Sequence, residues 1–132
     1  MINKVFLLWH AYITKELLVI GSLSKDGNRY IFKYEKDAAR AKDLGCFLPF
    51  PYTENELYFS MLPSFFTQRM LTSRYNMDKF GVKYDSNNEL ALLTYGDSVK
   101  NNDNFRIVSE DSYKLLSSLN DKDFNSKLTI RK

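Results

Sequence analysis

The chain has 132 residues, of which 44% are hydrophobic and 27% charged, as is ordinary for one soluble globular domain. Its 19 basic and 16 acidic residues leave a net charge of +3, too small an excess to indicate nucleic-acid binding. A single cysteine, Cys46, excludes an internal disulfide and is consistent with a reducing compartment.

The apolar N-terminal stretch predicts strand and core rather than a membrane segment. Its first apolar run, Val5 to Trp9, is too short to span a bilayer, and Lys15 and Glu16 interrupt the next. No small-residue cleavage site of a signal peptide follows. We therefore expect a cytoplasmic protein that forms one domain over residues 1–132 and does not bind membranes.

Two segments with a short turn between them predict a β-hairpin. Residues 17–23, "LLVIGSL", form a continuous apolar run, and residues 29–35, "RYIFKYE", alternate. Asp26-Gly27 supplies the turn signal. The alternation predicts one face made of Tyr30, Phe32 and Tyr34.

The next segments predict a helix and a loop. Residues 36–44, "KDAARAKDL", are rich in alanine and charge, and Gly45 follows as a helix stop. Pro49 and Pro51 exclude a regular helix over the segment that begins at Cys46. We expect an extended surface loop there.

A helix is predicted from Ser64 to about Phe80, with Ser64 as its N-cap. Its apolar residues fall in one narrow sector, namely Phe66, Met70, Ser73, Met77 and Phe80. Phe65 lies about 100° from Phe66 on this helix, so Phe66 is predicted in the core and Phe65 on the flank or exterior.

The rest of the chain predicts a helix over 87–96 that ends at Gly96, a strand over 104–109 and a helix over 109–121. Ser109 and an acidic first turn open that last helix, and the polar tail, residues 122–132, is expected to fray. Together these elements predict an α+β fold: a small antiparallel sheet with an N-terminal hairpin and three to four short helices.

Residues able to carry catalysis are few. His10 is the only histidine and lies in an apolar stretch, so a buried or half-buried position is expected. Cys46 is expected to be a buried, inert thiol. The stretch "YGDS" (95–98) fits a helix stop with a polar turn better than a catalytic site. No catalytic residue, metal site or cofactor is predicted.

Aromatic residues are concentrated in one part of the chain: residues 46–80 hold nine of the twenty. This density exceeds the needs of a core stripe, and exposed aromatics are typical of protein interfaces. The pattern favours a binding protein over an enzyme. An alternative is a small single-stranded nucleic-acid-binding module that stacks bases on Tyr30, Phe32 and Tyr34.

Three segments, in order, resemble the N-terminal subdomain of HipA-type serine/threonine kinase toxins. Residues 17–37 resemble its opening hairpin, with Gly-x-Leu and then Phe-x-Tyr. Residues 47–70 are similar to its aromatic run into Leu-Pro and a helix bearing Arg, with matches at Leu62, Pro63 and Arg69. Residues 90–111 resemble its helix, Gly-x-Asp-Ser-Val turn and strand, with matches at Leu93, Gly96, Asp97, Ser98 and Val99.

The resemblance covers about residues 12–112, and the 132 residues leave no room for the much longer kinase core of these toxins. The chain thus resembles the N-terminal subdomain as a separate small protein, an arrangement similar to that of the HipS antitoxins of bacterial three-gene HipBST toxin–antitoxin systems. What it implies is a kinase inhibitor that acts by protein–protein interaction, binding a HipT-like kinase near its active-site cleft. A HipB-like DNA-binding protein is expected in the same complex. This chain itself is expected to make no direct contact with nucleic acid.

The residues that the resemblance places at the kinase are Pro63, Ser64, Phe65, Phe66 and Arg69. The family usually has an acidic residue and often glycine after Leu-Pro, where this chain has Ser64 and Phe65. Two hypotheses remain open for the phenylalanine pair: both rings lie in the core, or at least one lies in the interface. For Arg69 they are a surface salt bridge or an interface contact.

Overall fold

The structure, a computed structural model, describes residues 3–70, 77–79, 81, 83, 88–100 and 104–117. Its strands are β1 (Lys4–His10), β2 (Leu17–Asp26), β3 (Arg29–Tyr34), β4 (Leu57–Phe59) and β5 (Phe105–Ser109). Its helices are α1 (Ala38–Asp43), α2 (Ser64–Thr67), α3 (Glu89–Lys100) and α4 (Glu110–Ser117). The predicted α+β fold is confirmed. The frayed tail predicted for residues 122–132 lies outside the described residues.

The five strands form one antiparallel sheet in the order β4-β3-β2-β1-β5. The predicted hairpin is confirmed as β2–β3: Asp26 pairs with Arg29, and Gly27 has the positive φ of 62° that the tight turn requires. Strand β2 runs to Asp26, three residues beyond the predicted end. Strand β1 comes before the hairpin in the chain and pairs with β2 in the sheet.

One face of the sheet carries the main core. The alternation predicted for β3 is confirmed, because Tyr30, Phe32 and Tyr34 are buried while Lys33 is exposed. The same core takes in side chains from three helices: Ala38 and Ala41 of α1, Phe66 of α2, and Leu90, Leu92 and Leu93 of α3. The loop after α1, whose Gly45 has a φ of 99°, adds Cys46 to this core.

The other face, which we call the second face, carries a smaller apolar cluster of Phe6, Leu8 and Val19. Helix α4 covers it through Tyr113, whose ring stacks on Phe6 with centroids 4.2 Å apart. As predicted, Ser109 caps α4: its Oγ accepts the backbone N–H of Ser112 at 3.2 Å.

A β-bulge shapes the middle of the sheet. Leu7 pairs with Gly21 but Leu8 pairs with Val19, so Ile20 is the extra residue of β2. The chain after β3 binds here: the Glu35 N–H donates to the Ile20 carbonyl at 2.8 Å, and the Asp37 carboxylate accepts the Val19 N–H at 3.0 Å. The bulge therefore fixes where the chain leaves the sheet for α1.

The predicted end of the third helix at Gly96 was wrong. Helix α3 continues to Lys100, and the "YGDS" stretch lies inside it rather than in a turn. Gly96 is buried. The next residue ties the helix to β5: the Asp97 carboxylate accepts the Ile107 N–H and the Arg106 Nε–H, both at 2.9 Å. Contacts distant in sequence thus outweigh the tendency of glycine to end a helix.

Candidate partner-binding site

The residues that sequence places at a partner lie in segment 61–70, which is anchored in the main core at three points, Leu62, Phe66 and Met70. Leu62 is buried, and Phe66 is 0% exposed in contact with Phe32, at a centroid distance of 5.9 Å. Between and beside these anchors, Met61 is 78% exposed and Ser64 is also exposed. The segment is therefore a fixed loop and helical turn that presents short stretches to solvent.

The predicted helix over Ser64–Phe80 was too long and its cap was wrong. Helix α2 ends at Thr67, and residues 68–70 form a turn and a bend. Pro63 is the N-cap, with extended backbone, and no side chain caps the helix. Residues 77–79 are helical again, while Ser73 and Phe80 lie outside the described residues. Met70 is buried as the helical spacing predicted.

The two adjacent phenylalanines have different environments, as the helical wheel predicted. Phe66 is in the core, whereas Phe65 is half-buried and packs edge-on against two rings, Phe66 at 5.1 Å and Phe105 at 5.3 Å. Phe105 opens β5 and pairs with Trp9 of β1. Phe65 therefore joins α2 to one end of the sheet and keeps part of its ring exposed.

Arg69 stacks on this aromatic group rather than pointing away from it. Its guanidinium carbon lies 3.9 Å from the Phe65 centroid and 5.4 Å from that of Phe105. Nη1 also donates to the Phe65 carbonyl at 2.7 Å. This cation–π arrangement holds the Phe65 ring in place. The sequence analysis named neither contact: the one with Phe65 is local, four positions away, whereas the one with Phe105 joins residues 36 positions apart.

The structure also shows exposed apolar residues within residues 47–61, ahead of the segment and at its first residue, that sequence reasoning did not name. Among the described residues, four of the seven large exposed hydrophobic side chains fall within residues 47–61: Phe47, Tyr52, Tyr58 and Met61. The aromatic density of residues 46–80 was the signal for them. Tyr58 lies on β4, where its hydroxyl donates a hydrogen bond to the Glu56 carboxylate. The guanidinium carbon of Arg29 lies over the Tyr58 ring, 4.7 Å from its centroid.

The face proposed for nucleic-acid stacking is closed. Tyr30, Phe32 and Tyr34 are 3%, 0% and 7% exposed, and all three pack in the main core. Bases stack on rings that are open to solvent. Burial of these three rings removes the surface on which that alternative depended.

The two candidate reactive groups have the environments expected for structural residues. Cys46 is buried, and burial raises the pKa of its thiol to about 11, which keeps the sulfur protonated at neutral pH. His10 is half-buried at the end of β1. Within the ranges that the structure describes, no three His, Cys, Asp or Glu residues are grouped as a metal site would require.

A scan against models of protein families and a search of curated proteins both returned no match to this chain. Of the helices that the structure describes, none has the length and apolar character needed to cross a bilayer.

Proposed function

We propose that this chain is a cytoplasmic, non-enzymatic antitoxin that binds and neutralises a HipT-like serine/threonine kinase. Its docking site would lie near the active-site cleft of the kinase, with a HipB-like DNA-binding protein in the same complex. The proposal rests on the order of the three resembling segments and on one structural observation. That observation is the anchoring of segment 61–70 by its three buried side chains, Leu62, Phe66 and Met70, while Met61, Ser64 and part of Phe65 remain accessible.

Such an arrangement suits a partner-binding site for a physical reason. A segment held at three buried points loses little conformational freedom when it binds, so more of the contact energy contributes to affinity. Exposed methionine and an aromatic ring stacked by arginine are residue types enriched at interface cores. Met61 and Phe65 are the anchors we expect to enter a pocket of the kinase, with Pro63, Ser64 and Arg69 around them.

The test is co-expression with a HipT-like kinase, scored by growth rescue and by co-purification. We expect Met61→Ala and Phe65→Ala each to weaken binding by about tenfold, the effect of losing one interface anchor. Leu115→Ala is the matched control, since Leu115 is 74% exposed against 78% for Met61 but lies on α4, across the sheet. Equal rescue by Met61→Ala, Phe65→Ala and the wild type would place the interface elsewhere.

Phe66 requires separate treatment in this experiment. Because its ring is fully buried, Phe66→Ala removes core packing and is expected to cost about 3–5 kcal/mol of stability. Loss of rescue by that variant therefore says nothing about the interface unless circular dichroism shows a folded chain. A wild type that neither binds nor rescues would overturn the antitoxin proposal as a whole.

A further inference from the structure

Two adjacent apolar side chains are exposed on the turn that joins β1 to β2, residues 11–16. Tyr12 is 74% exposed and Ile13 is 82% exposed. This turn comes before the first of the three resembling segments, so the resemblance assigns it no role. An apolar pair that stays in water on a surface turn is a candidate contact for a partner protein.

The turn is held in one shape by its own backbone and by two neighbouring elements. The Ala11 N–H donates to the Glu16 carbonyl at 2.8 Å, and the Lys15 N–H donates to the Ala11 carbonyl at 3.0 Å. Ala11 is buried in the main core, and the Glu16 carboxylate is paired with Arg40 of α1. Both ends of the turn are therefore fixed while its tip is exposed, and a fixed tip loses little conformational freedom on binding.

A series of contacts joins this turn to the exposed part of Phe65. The Phe65 and Phe105 ring centroids are 5.3 Å apart. Phe105 follows Asn104, an exposed residue whose carbonyl accepts the His10 N–H at 2.9 Å. His10 leads directly into the turn. Phe65 and the turn therefore lie at the same end of the sheet, where β1 ends and β5 begins.

Segment 61–70 is too small to form a stable interface by itself. A standard interface takes about 20–30 residues and about 800 Å² of surface from each partner. The segment has ten residues, and three of them are buried in the main core. A partner that binds Phe65 must therefore contact surface beyond the segment, and the contact with Phe105 leads to the end of the sheet that carries Tyr12 and Ile13.

We propose that one continuous surface binds the kinase, from Met61 and Phe65 to the turn at the end of the sheet, and that Tyr12 and Ile13 pack against apolar side chains of that kinase. This inference rests on the proposed function, because it extends the docking site at segment 61–70. Both regions are fixed to the same sheet, so a kinase that contacts both is held in one orientation.

The first experiment measures the affinity of the full chain for a HipT-like kinase by titration calorimetry. We expect Tyr12→Ala and Ile13→Ala each to weaken binding by about tenfold, as for loss of an interface anchor. All the replaced side chains are largely exposed, so circular dichroism should show the same fold as the wild type.

Tyr58→Ala is the matched control for Tyr12→Ala. The Tyr58 side chain is 52% exposed, but it pairs with Ile31 on β4 and β3. Ile31 lies between Tyr30 and Phe32, whose rings face the main core, so Tyr58 lies on the second face of the sheet. Tyr58→Ala should leave the affinity unchanged.

A second experiment tests contact separately from affinity. A photocrosslinking amino acid is placed at position 12 or at position 58 of the full chain, and each chain is irradiated with the kinase. We expect a crosslink to the kinase from position 12 and none from position 58.

The outcomes separate this inference from the proposed function. Turn variants that bind like the wild type, while Phe65→Ala weakens binding, would overturn the inference and leave the antitoxin proposal standing. Weaker binding by the turn variants with Phe65→Ala unaffected would overturn the continuous surface, as would equal effects of Tyr12→Ala and Tyr58→Ala. Self-association that Ile13→Ala abolishes, with kinase binding unchanged, would assign the turn to a second copy of this chain instead. A wild type that does not bind the kinase would overturn both proposals.

Discussion

Gly21 shows how little room a single residue has at the centre of the sheet. It pairs with Leu7 on one side and with Tyr34 on the other. A Cβ added at this position would lie 2.5 Å from Cζ of Phe32 and 2.9 Å from the Lys33 carbonyl oxygen. The absence of a side chain thus lets the Phe32 ring lie directly on the β2 backbone.

We predict that Gly21→Ala destabilises the protein by about 1–3 kcal/mol, because the buried Phe32 ring must move to admit the new methyl group. Urea denaturation followed by circular dichroism measures the change. Ser24→Ala on the same strand is the control, since Ser24 is half-buried on the second face and its replacement should cost less than about 0.5 kcal/mol. Similar losses for the two variants would contradict the close approach at Gly21.

At the residue scale, the sequence predicted local geometry well and distant contacts poorly. The division between Phe65 and Phe66 followed from helical spacing alone, although the helix has a single turn. The stacking of Arg69 on Phe65 and Phe105 required knowing that the start of β5 meets α2. Only the contact with Phe65, four residues before Arg69, is local.

At the scale of elements, the Tyr34 hydroxyl holds the loop between α1 and β4 against β3 through hydrogen bonds. The Tyr34 hydroxyl donates to the Phe50 carbonyl and accepts the Phe50 N–H, the latter at 2.9 Å. The Phe50 ring also packs against Phe32 and Phe59, at centroid distances of 5.1 and 5.0 Å. The loop that contains Pro49 and Pro51 is therefore fixed to β3 where it crosses the core.

We predict that Tyr34→Phe costs about 1 kcal/mol near neutral pH through the lost hydrogen bonds. Burial raises the pKa of the Tyr34 hydroxyl above that of an unfolded tyrosine. This contribution to stability is full below the unfolded pKa, about 10, and is lost as pH rises through the folded pKa. The deficit of Tyr34→Phe should thus stay constant below about pH 9 and narrow above about pH 10, as denaturation at a series of pH values would show. A deficit that widens at alkaline pH would contradict this account.

Asp97 joins two other elements, α3 and β5, through a nearly buried carboxylate. Asp97→Ala leaves the Ile107 N–H without its acceptor and should cost about 1–3 kcal/mol in chemical denaturation. Asp97→Asn keeps an acceptor oxygen and removes the charge, so its loss should be smaller. An equal loss for the two variants would show that the ion pair with Arg106, rather than the bond to Ile107, is the main link.

Elements whose signals are local were predicted and those that depend on tertiary contacts were not. The β2–β3 hairpin and the Ser109 cap of α4 follow from neighbouring residues. The continuation of α3 past Gly96 depends on contacts with β5. The end of α2 at Thr67 is not explained by any helix-breaking residue next to it in the sequence. Strand β4 was missed because its three residues pair with β3 across an irregular loop.

At the scale of the whole molecule, the sheet is covered unequally. The main core draws on three helices and the loop before β4, whereas the second face has α4 on a cluster of three buried side chains. Stability follows buried apolar area, so the two layers should open at different free energies.

We predict that native-state hydrogen exchange separates these layers. Amides of β1 and β2 should exchange only through global unfolding, because both strands lie inside the sheet with partners on each side. Amides in the last turn of α4 should exchange through local opening, at a lower free energy and with little dependence on denaturant. Protection of α4 equal to that of β2 would show that the second face is as cooperative as the main core.

The bond between Asp97 and Ile107 also bears on how copies of the protein can join. Strand β5 is one margin of the sheet, and a carboxylate from α3 already occupies an outward N–H of this strand. At the opposite margin, the part of the chain that the structure describes places no strand beyond β4. A molecule with two open margins can polymerise into an endless ribbon. Pairing of β5 with a strand of another copy would therefore require the bond between Asp97 and Ile107 to break, whereas pairing through β4 about a twofold axis would join two copies without breaking it.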